Sequence, residues 1–239
     1  MKKKRGTIDI ESFPGHYRGF VDKMWKTRLL KETIPIKPAS FSYKELGKHK
    51  PYTRGVWEFK NEKEFVKDLH RVFMENEELI GHNAKQFDLK QSNTFFAMYG
   101  LPDTNVKIID TLTIVKKKFR LPSYKLKYCL EFFKIGHKLE TGGEVLWFDV
   151  EDGDPKARKH FLKYNENDTV KTELLYLYFL DKGWVQERTR KCYGKDGCIR
   201  CGGHNVNFRG EKPFSEGVYE MVHCKDCNKH QPYHFLRGW

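Results

Sequence analysis

The sequence predicts an α/β domain, a mixed sheet flanked by helices, followed by a small module stapled by a metal. Three observations carry this. Strand-like segments come first, then alternate with amphipathic helices, and helices close the run near residue 180. The first strand, Ile8-Asp9-Ile10-Glu11, alternates apolar and acidic residues with the two-residue period of a strand that buries one face. Beyond residue 195, Cys198-x2-Cys201 and Cys224-x2-Cys227 stand 22 residues apart, the spacing of two knuckles that share one ion. The expected boundaries are a main domain over 1–187, a basic linker over 188–195 and the cysteine module over 196–239.

The 239 residues allow one large core plus an appendage. Charged residues are 32% and the formal net charge is +13, an excess that calls for a polyanion such as nucleic acid. No apolar run approaches the roughly 20 residues that cross a bilayer, so no membrane role is expected. Asp9 and Glu11 interrupt any secretory leader behind the basic opening Lys2-Lys3-Lys4-Arg5. A cytoplasmic location follows as an expectation, and in that compartment paired cysteines read as metal ligands before disulfides. Cys129 and Cys192 lie outside the pairs and are expected to be unremarkable thiols.

In chain order, Ser12-Phe13-Pro14-Gly15 predicts a turn. Residues 16–58 are less regular, with Tyr17, Phe20, Val21, Trp25 and Leu29 fitting a strand or a short helix. Antiparallel strands completing the sheet are expected there, Val56-Trp57-Glu58-Phe59 among them. Residues 61–78 predict a helix capped by Asn61, since Phe65, Leu69, Val72 and Phe73 recur on one face. Leu79-Ile80-Gly81-His82-Asn83 predicts a short strand running into a loop. A helix from about Lys85 to Tyr99, a strand over 106–110, and helices over 111–119 and 123–133, the latter capped by Ser123, follow. Gly136 to Gly143 is expected as loop. A helical turn from Pro155 and a longer helix from about Asn165 to Leu180 close the domain.

Three groups of residues carry chemistry. Asp9 and Glu11 project side by side from one strand face, and like charges so close need a cation or a shared proton. Asp88 follows Asn83 and Phe87 just beyond a strand end, where open α/β sheets place their ligands. Asn83 can hydrogen-bond across that loop and Phe87 can anchor the helix start. Tyr164 and Asp168 stand four apart on one helix face, close to the packed side marked by Leu175.

Asp9-x-Glu11, Asn83-x3-Phe87-Asp88 and Tyr164-x3-Asp168, in this order, resemble the three motifs of the DEDD-type 3′–5′ exonucleases of the ribonuclease H-like superfamily, in the subgroup that carries tyrosine. The set is similar to the proofreading domain of family B DNA polymerases. Ile109-Asp110-Thr111-Leu112, Ser123-Tyr124-Lys125-Leu126, Lys138 with Thr141-Gly142-Gly143, Leu146-Trp147 and Gly153-Asp154-Pro155-Lys156-Ala157 resemble stand-alone phage exonucleases that end in a zinc ribbon. The resemblance implies a ribonuclease H-like mixed sheet and two Mg²⁺ or Mn²⁺ ions. Asp9 would bridge both ions, Glu11 and Asp168 would hold the one carrying the nucleophile, and Asp88 would reach the other. Tyr164 would orient the attacking water. It further implies DNA as partner, single-stranded or at a 3′ end, release of 5′-mononucleotides, and a setting in phage DNA replication, repair or recombination with a replication protein or polymerase nearby.

Beside the acids, Lys116-Lys117-Lys118, Arg120, Lys125 and Lys127 form a basic cluster that suits a strand path. Asn83, Phe87, Ser123, Lys125 and Lys138 are the candidate substrate contacts. Phe13 and Tyr17 suit either base stacking or the core. Cys198, Cys201, Cys224 and Cys227 suit one structural Zn²⁺, with room for a hairpin between the pairs. His204, His223 and His230 are then surplus. An exoribonuclease or structure-specific nuclease fits the same acids. A nucleic-acid-binding adaptor acting through the ribbon is the reading from another class.

Overall fold

In the computed structural model, which describes residues 4–23, 26–185, 198, 201–214 and 217–237, β1 (Lys4–Phe13) is the middle strand of a five-stranded sheet. Its alternation separates two cores. Ile8 and Ile10 are 1% and 2% exposed and pack with Phe41, Phe65, Leu69, Phe73 and Phe95. Phe13 follows Asp9 and Glu11 at the same two-residue period and packs with Ala39, Leu146, Val150 and Phe161. Phe13 is therefore a core residue, and Asp9 and Glu11 remain partly open beside it.

Strands β2 (His16–Lys23) and β3 (Lys26–Ile34) pair antiparallel with each other as a separate two-stranded sheet. They form an arm where strands completing the main sheet were expected. That completion comes from β4 (Lys37–Glu45) and β5 (Tyr52–Gly55), antiparallel to β1 and β4 in turn. On the other side of β1, β6 (Asn76–Gly81) and β7 (Lys107–Asp110) run parallel. Parallel neighbours need long crossovers, and α1 (Glu62–Glu75) and α2 (Asp88–Met98) supply helices before β6 and between β6 and β7. The result is a mixed parallel and antiparallel sheet with flanking helices, as the sequence predicts. Helices α3 (Thr111–Lys118), α4 (Leu126–Phe132), α5 (Val145–Glu151) and α6 (Pro155–Asp181) follow.

Local physics explains where these elements differ from expectation. Val56–Glu58 is a 3₁₀ turn and not a strand, because the Glu58 carboxylate reaches back to accept the Gly55 N–H at 2.7 Å. Helix α1 ends at Glu75, three residues early, where the Asn76 carboxamide donates to the Val72 carbonyl at 2.8 Å. Ser123 does not cap α4, which starts at Leu126. Its hydroxyl instead accepts the Lys125 N–H at 3.3 Å in a local turn. The two helices expected after Pro155 are one helix of 27 residues, capped by Asp154 on the Ala157 N–H at 2.6 Å with Pro155 in the first turn. Helix α5 falls where the sequence predicts no element; it is seven residues long, just under two helical turns.

The chain divides into two compact units, Met1–Val185 and Gln186–Trp239. In the second, β8 (Val206–Phe214), β9 (Gly217–Cys224) and β10 (Lys229–Arg237) form an antiparallel sheet in the order β10-β9-β8. The hairpin expected between the cysteine pairs is β8–β9, and β10 adds a third strand. The linker over 188–195, with Cys192, lies outside the described residues, as does the side chain of Tyr17. Cys129 is buried in the cluster around Phe133 and Phe179. Among the described residues no helix is long and apolar enough to cross a membrane.

Helix α6 is tied to the sheet by a buried ion pair between Lys44 of β4 and Glu173, which also accepts the Gly47 N–H at 3.3 Å. Removing one partner leaves the other charge uncompensated. Glu173→Ala is expected to destabilise the protein by about 3–5 kcal/mol, read as a lowered midpoint in urea unfolding.

Candidate active site

Strand β1 and helix α6 bring the acids together. Asp9, Glu11 and Asp168 each offer a carboxylate oxygen within 4.8 Å of the others. Asp168 is 3% exposed, and its Oδ1 is buried without a hydrogen-bond partner. The other oxygen, Oδ2, accepts from Lys138 Nζ at 2.7 Å. The same ammonium donates to Tyr164 Oη at 2.7 Å and lies 4.6 Å from the centre of that ring. Lys138 thus offsets part of the charge that the acids crowd together.

Burial and mutual repulsion dominate the electrostatics. Asp9 is held well above the usual carboxylate range, by burial first and then by Asp168, Glu11 and Asp88, with Lys138 opposing. Burial, followed by the Asp168 charge, pushes Glu11 up to about 8. Asp168 is raised by burial against the pull of Lys138. Tyr164 is raised far above its ordinary value by burial and by Asp168, Glu11 and Asp9, so its hydroxyl stays protonated. Crowded, raised carboxylates and an orphaned buried oxygen are what a set of metal ligands looks like before the metal arrives. Hard oxygen donors of this kind fit Mg²⁺ or Mn²⁺.

Asp88 stands apart from this trio. It starts α2 at 4% exposure and its Oδ1 accepts the Ile10 N–H at 2.9 Å. Burial raises it to about 7, and the amides of Asp88 and Ile10 pull the other way. Its carboxylate locks the helix start to β1 between the two acids of the strand. Asn83 sits at φ 69° in the loop that leads there. Its N–H and that of Lys85 donate to the Asp110 carboxylate at 3.0 and 3.1 Å, and Asp110 also caps α3. The loop geometry is therefore fixed from β7. Phe87 is 42% exposed and does not anchor the helix start.

A cleft of about 610 Å³ opens beside the acids. Asp9, Asp168 and Tyr164 line it together with Asn83, Lys116, Lys125, Lys127 and Lys138. Phe87 and Ser123, the other candidate contacts, are not among its lining residues. His82 braces one wall, with Nε2 2.9 Å from the Tyr124 carbonyl and Nδ1 2.9 Å from Thr111 Oγ1.

A family model described as RNase_H superfamily matches residues 40–180, more than half of the chain. The chain belongs to the RNase_H superfamily. The matched span contains Asp88, Tyr164 and Asp168 and begins after Asp9 and Glu11. Among solved structures, the family B DNA polymerase from the hyperthermophilic archaeon Pyrobaculum calidifontis is similar with a TM-score of 0.55 at 16% identity, over 75% of this chain and 25% of the polymerase chain. At that identity the likeness is one of fold, and this chain spans about a quarter of the polymerase. No curated protein sequence matches the chain.

Within this superfamily fold, three residues outside the predicted set shape the site. Asn165, fully buried, donates to Asp9 Oδ2 at 2.6 Å and to the Asp9 carbonyl at 3.1 Å, and accepts from Ser40 Oγ at 2.9 Å. Trp147 of α5 stands beside Glu11, where it opposes the rise of that carboxyl, and packs edge-on against Tyr164, with centroids 5.9 Å apart. Asp110 is the third. An amide next to Tyr164 on a packed helix face was the available signal for Asn165. Trp147 was marked only by the Leu146-Trp147 resemblance, which assigned it no role.

In the second unit the Sγ atoms of Cys198, Cys201, Cys224 and Cys227 all lie within 4.8 Å of one another. The Cys198–Cys227 and Cys201–Cys224 separations are 3.6 and 3.7 Å. A tetrahedron with Zn–S bonds of ~2.3 Å has edges of about 3.8 Å, and a disulfide needs about 2.05 Å. The Cys198 N–H donates to the Gly203 carbonyl at 2.8 Å, closing the first knuckle, and Gly202 within it has φ 73°. Burial first, and then the neighbouring thiols, push Cys227 up to about 12. The cluster fits a structural metal.

The raised acids make stability depend on pH. A carboxyl whose pKa is higher when folded favours the folded state at low pH, and that contribution is lost as pH rises through the folded value. For Glu11 the window runs from 4.5 to about 8. The metal-free main unit is expected to lose thermal stability across that window, and Glu11→Gln to flatten the loss. Melting curves from pH 4.5 to 8, with and without Mg²⁺, measure this, and the ion is expected to restore stability most at the alkaline end.

Proposed function

We propose that the protein is a metal-dependent 3′–5′ exonuclease of the tyrosine-bearing subgroup, hydrolysing DNA phosphodiesters to release 5′-mononucleotides. The observation that carries this reading is the approach of Asp9, Glu11 and Asp168 to within 4.8 Å, with Lys138 joining Tyr164 to Asp168, beside a lysine-lined cleft. Membership of the RNase_H superfamily and the polymerase-like fold support a nuclease. Polarity, the preference for DNA and a place in phage replication, repair or recombination rest on the motif resemblance.

Asp9, Glu11, Asp168 and Asp88 are the residues that would hold two Mg²⁺ or Mn²⁺ ions. Such ions, when bound, generate the nucleophile and stabilise the leaving oxygen. The chain's own residues do the rest. Asn165 fixes the Asp9 carboxylate, and Trp147 beside Glu11 favours its charged form. Tyr164, protonated and braced by Lys138, orients the attacking water as a hydrogen-bonding partner and not as a base. Lys116, Lys125 and Lys127 draw phosphates into the cleft. In domain terms, residues 1–187 form the nuclease, 188–195 a basic linker and 196–239 a zinc ribbon.

Incubation of 5′- and 3′-labelled single-stranded DNA, duplex DNA and RNA with Mg²⁺ or Mn²⁺ tests the reading. The expected product is a ladder shortening from the 3′ end of DNA. Shortening from the 5′ end or early internal cuts would overturn it, and preference for RNA would assign an exoribonuclease. Asp9→Ala is expected to lower the rate by about a thousandfold or more while DNA binding persists in a gel-shift assay. For the tail, Cys201→Ser is expected to abolish retention of one equivalent of Zn²⁺, measured by metal analysis after dialysis. An unchanged zinc content would remove the ribbon.

A further inference from the structure

Hairpin β2–β3 forms a sheet of its own, separate from the main sheet. Among the described residues its strands pair only with each other. An isolated two-stranded hairpin is marginal in water, and the composition of this one adds a penalty. Residues 16–34 carry five basic residues, Arg18, Lys23, Lys26, Arg28 and Lys31, against Asp22 and Glu32. The register sets Arg18 opposite Lys31 and Lys23 opposite Lys26. Like charges directly opposite destabilise a hairpin, and an anion lying along it removes that cost.

Its root fixes where such an anion would come from. The arm leaves the sheet at Phe13, paired with Lys37, immediately past the register shift that follows Glu11. His16 Nε2 at its base lies 3.5 Å from Glu151 Oε2, at the end of the helix whose Trp147 stands beside Glu11. Eight or nine residues per strand at roughly 3.3 Å each give a reach of ~25–30 Å from the edge of the acid cluster.

We propose that hairpin β2–β3 is a second nucleic-acid contact, an arm that holds the sugar–phosphate backbone of the substrate beyond the catalytic cleft. The proposal rests on the nuclease reading above and extends it from the scissile end to the body of the strand. The arm reads charge and not bases, so it adds affinity and length dependence without sequence preference.

The full-length chain with Arg18, Lys23, Lys26, Arg28 and Lys31 all changed to Gln tests this against wild type. Fluorescence anisotropy with Ca²⁺ replacing Mg²⁺ measures binding of single-stranded DNA of about 20 and about 4 nucleotides across a salt series. Hydrolysis of both is then measured with Mg²⁺. For the 20-mer, affinity is expected to fall tenfold or more and the log–log salt slope to shrink by about 2, the loss of roughly three phosphate contacts. Hydrolysis of the 4-mer is expected to stay within about twofold of wild type. A variant with Lys23, Lys26 and Lys31 changed to Arg is expected to keep wild-type affinity. An unchanged slope and affinity for the 20-mer would overturn the proposal, leaving the charge to another anion such as an acidic protein surface. Equal losses on both lengths would overturn it too, since damage to the cleft then explains them. A wild type that cleaves neither DNA counts against the nuclease reading alone, and the binding comparison still decides for or against the arm.

Discussion

Carboxylates crowded within 4.8 Å repel one another, and the main unit is assembled so that they cannot move apart. Asp9 and Glu11 are fixed by the pleat of β1, whose opposite face is pinned by Ile8 and Ile10 in a dry core. Asp168 is carried on a helix of 27 residues, held to β4 by the buried Lys44–Glu173 pair and to β1 through Asn165. Asp88 is locked by the Ile10 amide. Each acid is held by a different long-range tie, and in the metal-free state the Lys138 ammonium offsets part of the repulsion. The free energy that burial and repulsion cost is recovered when a cation binds, so preorganisation and metal affinity have one origin.

The fold was legible wherever the pattern was local and long. The period of two in β1, the period of 3.6 in α1 and the Cys-x2-Cys pairs required no knowledge of the rest of the chain. The sheet's mixed character followed from strands first and alternation later. Failures cluster where short segments are decided by single side chains. Glu58 turning back on Gly55 converts an apolar strand-like run into a 3₁₀ turn, and Ser123 spends its hydroxyl on a local turn instead of a helix end. Helix α5 is too short for periodicity to register.

The site divides the same way. Asp9, Glu11, Tyr164 and Asp168 were readable because strand and helix spacing put them in pairs, and motif order suggested that the pairs meet. Asn165, Trp147 and Asp110 act by contacts to residues 17 to 156 positions away in sequence, and spacing carries little information at that range. Phe87 and Ser123 entered through the motif resemblance, and neither lines the cleft. Phe13 had two readings of equal weight until the packing of α5 and α6 decided it as core.

The two-faced character of β1 also bears on which changes of length the chain can absorb. Losing or gaining one residue between Gly6 and Asp9 would exchange the faces, sending carboxylates among Phe41, Phe65 and Leu69 and presenting isoleucines to α6. The strand therefore has a fixed reading frame, set jointly by the core and the acids. Past Glu11 the pairing with β4 already shifts register and the chain departs into the hairpin. Variation in length among related chains should accordingly collect after residue 13 and be absent from the eight residues before it, a boundary between frozen and free sequence drawn by a single strand.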